Sequence, residues 1–109
     1  MTSFGQEFAT ARVWLRHSTA DDARLQTIAA ELLAALWYLE LSDAFIHELL
    51  EHNHRYVLDG FIAESKRTRR TEDDAHAGHA LALVQKLSPE DRTAVFEIVQ
   101  AALSQAVSA

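Results

Sequence analysis

Cysteine is absent from the 109 residues, and with it go disulfides, thiolate nucleophiles and every cysteine-based zinc site. Proline occurs once and glycine three times. So little turn chemistry excludes a sandwich or barrel of many short strands. The opening MTSFGQEF has neither a basic segment nor an apolar core, so no export signal is read there. No apolar run reaches the roughly 20 residues that cross a bilayer. Phosphate-binding glycine loops and G-x-S-x-G elbows are also missing. Ten basic residues face sixteen acidic ones, a formal charge of −6. That balance disfavours broad binding to nucleic acid, whose affinity rests on phosphate contacts. The expectation is a cytoplasmic protein of one domain, residues 1–109, without cofactor, membrane or nucleic-acid partner. Its small size and simplicity fit an accessory protein of a bacterium or phage.

What is present is helix. A hydrophobic content of 49% is ordinary for a globular chain, and its apolar residues recur at helical spacing. Phe4, Phe8, Ala11 and Leu15 mark a first helix from Ser3 to Arg16. Ser18 to Asp21 has capping-box spacing for a second, with Leu25, Ile28, Leu32, Ala35, Leu36 and Leu39 facing inward. Ser42 caps a third, reaching Lys66, with Phe45, Ile46, Leu49, Leu50, Tyr56, Val57 and Phe61 as its stripe. Thr71 caps a fourth, from Glu72 to Leu87. Ser88-Pro89-Glu90-Asp91 opens the fifth, with proline at the first helical position, and its end frays from Ser104. The fold class is all-α: a compact, dimeric bundle of four to five helices.

The second helix sets the functional expectation. From Ile28 to Leu41 it reads IAAELLAALWYLEL, with charge only at Glu31 and Glu40. A helix apolar nearly all round must be covered on several sides, by its own bundle, by a second copy or by a partner. The reading is a non-catalytic interaction module, an adaptor, regulator or inhibitor, that buries a face made of Leu33, Leu36, Trp37, Tyr38, Leu41, Phe45 and Leu49. Tryptophan and tyrosine are the residues most enriched at binding hot spots. Ile46, Leu49, Asn53, Tyr56, Gly60 and Ala63 alternate three and four apart, as in a helix–helix seam. There a polar Asn53 fixes register and Gly60 allows close approach, at about 1 kcal/mol of helix propensity. The partner across that seam is a second copy or another helix of the same chain; the expected assembly is a homo-oligomer.

Two side-chain clusters suggest other chemistry. His47, Glu51 and His54 share one helical face, and His76 and His79 follow on the fourth helix. If the two helices faced each other, these side chains could converge on a transition metal. His47-x-x-x-Glu51 is similar to one short element of hemerythrin-type di-iron domains, but the rest of that ligand set does not follow in register. The simpler account is an outer face carrying His–Glu pairs, so no metal site is favoured. Lys66, Arg67, Arg69 and Arg70 form a basic patch directly before Glu72, Asp73 and Asp74. Cations ending one helix and acids opening the next both complement the helix dipoles. The spacing from Arg70 to His76 resembles the Arg-to-His motif of HEPN-type helical ribonucleases. Over seven residues, the resemblance implies an RNA-directed alternative in which a dimer joins two such motifs. No residue is assigned a catalytic role.

Overall fold

Ser3 opens the first helix, α1 (Phe4–Trp14), in a computed structural model that describes residues 3–17, 22–51, 60, 63 and 71–108. Its hydroxyl accepts from the Gln6 amide, and the Gln6 side chain accepts from the Ser3 amide, each at 3.1 Å. This reciprocal pair satisfies two of the donors a helix start leaves open. A 3-10 turn, Leu15–His17, follows. The second helix, α2 (Ala23–Tyr38), is capped by Asp22, whose Oδ1 accepts from the amides of Arg24 and Leu25 at 2.9 and 3.3 Å. The expected cap at Ser18 is thereby corrected. A cap at Ser18 would leave Asp22 inside the first turn; Asp22 is itself the cap, because its short carboxylate reaches those amides from there.

The end of α2 is sharp. Glu40 adopts a left-handed backbone, φ 64°, while its amide donates to Trp37 and that of Leu41 to Leu36. This is the double closure that usually favours glycine at the turning residue. It delivers Ser42 to cap α3 (Asp43–Glu51), with its hydroxyl 3.2 Å from the Phe45 amide. Thr71 caps α4 (Glu72–Gln85) through the Asp74 amide at 3.1 Å. Ser88 caps α5 (Pro89–Ser108) through the Asp91 amide at 3.2 Å. The backbone of α5 is helical from Pro89 to Ser108.

The architecture is all-α, with five α-helices and no strand among the described residues. Helix α2 is its axis: α1, α4 and α5 pack against it, and α3 packs on α5. Ile28, Ala29, Ala30 and the run from Leu32 to Leu36 are all buried. Ala77, Gly78 and Ala80 of α4 are buried too. Small side chains on both helices allow their axes to approach closely. Leu81, Val84, Val95, Val99 and Leu103 close the core from α4 and α5, Ala11 and Leu15 close it from α1, and Ile46, Leu49 and Leu50 from α3. A radius of gyration of 12.8 Å is that of a compact domain of about 100 residues. The apolar run of α2 is therefore covered by this chain's own helices. Among the described residues no helix is long and apolar enough to cross a membrane.

Candidate functional site

The residues expected to form one docking face divide into three groups. Leu33, Leu36 and Leu49 belong to the closed core. They retain almost no surface for a partner, because Leu33 and Leu36 lie on α2 at the centre of the bundle and Leu49 on the side of α3 turned to the core. Trp37, Tyr38 and Leu41 are half-buried, and the two aromatics are tied within the chain. The Trp37 indole N–H donates to Asp43 Oδ1 at 2.8 Å, and its ring meets Trp14 edge-on at 5.0 Å. The Tyr38 hydroxyl donates to Asp74 Oδ1 at 2.6 Å, with Phe4 edge-on to its ring at 6.5 Å. Phe45 stands apart, 43% exposed.

Phe45, expected on the apolar stripe of α3 and in the docking face, is the member of that stripe left exposed among the described residues. At about 100° per residue, Ile46, Leu49 and Leu50 span the narrow arc that α3 turns to the core, and Phe45 lies at its margin. Ala44, Glu48 and Glu51 share the exposed side with it, and His47 Nδ1 lies 3.7 Å from Glu51. The other large hydrophobic left exposed among the described residues is Val13, at 57%. It lies off the stripe of Phe4, Phe8, Ala11 and Leu15, so helical spacing alone could have marked it. A groove of about 420 Å³ opens beside it, between α1 and the first turns of α2.

Among the described residues, the histidine clusters are not assembled into one site. His47 and Glu51 sit on α3, which packs on α5, whereas His76 and His79 sit on α4, which packs on α1 and α2. The His76 ring lies edge-on to Phe4 at 6.0 Å. His79 opposes Glu31 of α2, whose carboxyl is raised above its ordinary range by burial and drawn partly back by the histidine's charge. Among the described residues, no group of three or more His, Cys, Asp or Glu is arranged to hold a metal ion. Asn53, His54, Tyr56, Lys66, Arg67, Arg69 and Arg70 lie outside the described residues, so the basic patch and most of the seam are not placed. Gly60 is exposed and helical. A Cβ added there would meet nothing within 4 Å, so its expected close approach is not made to the described part of this chain. Compared with protein-family models, curated proteins and solved structures, the chain has no match.

The Tyr38–Asp74 contact carries a pH signature. Its hydrogen bond to Asp74, then burial and neighbouring carboxylates, raise the Tyr38 pKa above 10.0. A pKa higher in the folded state means that the contribution is complete below pH 10 and lost as pH rises through the raised value. Tyr38→Phe is expected to cost about 0.5–1.5 kcal/mol near neutral pH. The gap to the parent should narrow in urea titrations run at increasing pH above 10. A gap that stays constant throughout would contradict the assignment.

Proposed function

We propose that the chain is a non-catalytic protein-interaction module, an adaptor, regulator or inhibitor, working in the cytoplasm as a homo-oligomer. Its docking face is the outer side of α3, formed by Ala44, Phe45, Glu48 and Glu51. The observation that carries this reading is Phe45, a large ring left 43% exposed on a helix whose other exposed side chains are small or acidic. The charge around it selects the partner. Between Arg24 and Arg55 the sequence has five carboxylates, Glu31, Glu40, Asp43, Glu48 and Glu51, and neither Lys nor Arg. A segment with an apolar anchor flanked by Lys or Arg complements that face, with the ring supplying contact area and the charges guiding encounter and orientation.

The test uses two fluorescent helical peptides of equal length, one patterned Leu/Lys and one Leu/Glu. Anisotropy should show the Leu/Lys peptide binding and the Leu/Glu peptide failing to bind. Phe45→Ser with Glu48→Lys and Glu51→Lys should weaken binding at least about tenfold, ~1.4 kcal/mol, with unchanged helical circular dichroism. Equal binding of both peptides, or no effect of the triple substitution, would remove the basis for the reading.

A further inference from the structure

The two exposed large hydrophobics have oppositely charged surroundings. Phe45 lies in the acidic stretch described above. Val13 lies in the converse: from Phe8 to Ala20 the sequence has Arg12 and Arg16 and no Asp or Glu. Both arginines are exposed, and both line the groove beside Val13, whose far wall is built by Ala23 and Thr27 of α2. No carboxylate lines the groove among the described residues. The nearby carboxylate of Asp22 is turned to the amides of its own helix, so among the described residues no carboxylate on the groove wall compensates the two guanidiniums; that of Arg12 lies over the Phe8 ring, 5.8 Å from its centroid. A volume of about 420 Å³ lies within the range of sites that admit a small ligand, about 300–1,000 Å³, and so admits a single aromatic side chain.

We infer that this groove receives the α3 face of a second copy of the chain, Phe45 entering beside Val13 while Glu48 and Glu51 meet Arg12 and Arg16. The inference rests on the docking face proposed above and names its occupant. Each copy carries both halves. A two-fold pair can therefore use the contact twice, and a head-to-tail array once at each junction. The seam around Asn53 is not required for it. The contact is small and its charged rim exposed, so association is weak and salt-sensitive.

Sedimentation equilibrium of the full chain tests this. Mass should exceed the monomer's at about 50 mM NaCl and fall toward it at about 500 mM, where exposed charges are screened. Arg12→Glu with Arg16→Glu, and separately Glu48→Arg with Glu51→Arg, should each return the monomer at low salt. An equimolar mixture of the two variants should regain the higher mass, because every contact between unlike copies is again complementary. Circular dichroism of each variant confirms that it folds. Should a variant fail, Val13→Glu, which places an acid among the arginines, takes its place with the same expected loss. A parent chain that is monomeric at low salt, or folded variants that associate like the parent or fail to recover on mixing, overturns the inference. A monomeric parent that still binds the Leu/Lys peptide sinks this inference alone; one that binds no peptide sinks the docking face as well.

Discussion

Leu33→Ala is expected to destabilise the chain by about 2–5 kcal/mol, the range for a buried leucine whose cavity cannot collapse. Leu33 has no exposed surface and lies on the helix that α1, α4 and α5 enclose. Domains of this kind are stable by only about 5–15 kcal/mol, so one truncation removes a large share. Urea unfolding gives the magnitude, and protein concentration gives the cause. Where a leucine is hidden by its own chain, the loss does not change with protein concentration. Where a second copy hides it, mass action makes both parent stability and loss concentration-dependent. Measured at high salt over a hundredfold range of concentration, the loss should be constant. A loss below about 1 kcal/mol, or one that grows with concentration, would mean that the cover comes from elsewhere.

That experiment bears on what the amino-acid pattern could reveal. The run from Ile28 to Leu41 announces burial through composition, but composition does not say what does the covering. Here the cover comes from helices that look weak alone. In α4 the core side is built partly from Ala77, Gly78 and Ala80, residues too small to form an apolar stripe, yet small enough for two axes to approach. Caps were far more legible. Ser42, Thr71 and Ser88, each expected as a cap, all bond amides three residues on, since a cap depends on a hydroxyl at one position and on little else. The start of α2 was harder, because Ser18, Thr19, Asp21 and Asp22 all offer capping oxygens within five residues.

The candidate site was less legible than the fold. Phe45 falls on the same periodic pattern as its buried neighbours, yet it lies at the margin of the arc that α3 turns to the core, where among the described residues α3 packs chiefly on α5. A stripe predicts which residues are apolar on one side; the number of neighbouring helices decides how wide a stripe is covered. The groove beside Val13 depends on the angle at which the chain returns from α1 to α2, which no local pattern encodes. Residue type is equally incomplete for the aromatic pair at Trp37 and Tyr38. Both suit an interface by residue type, yet both find their polar partners inside the chain, Asp43 six residues later and Asp74 thirty-six residues later.

Trp37→Ala should therefore act on stability rather than on partner binding. The substitution removes the edge-on contact with Trp14 and leaves the half-buried Asp43 carboxylate without the indole donor. Large aromatic truncations cost about 3–5 kcal/mol in a closed core; for a half-buried ring we expect about 2–4 kcal/mol. Asp43→Ala keeps the ring contact and loses the hydrogen bond, for about 1 kcal/mol. Trp37→Phe should fall between the two, retaining a ring against Trp14 but no donor for Asp43. An interface tryptophan behaves in the opposite way, with little effect on folding and a large loss of affinity. The Leu/Lys peptide should accordingly bind Trp37→Phe within about twofold of the parent, ~0.4 kcal/mol, while urea unfolding registers the loss. Intact stability with abolished binding would place Trp37 in the docking face and move that face from the outer side of α3 to the junction of α1, α2 and α3.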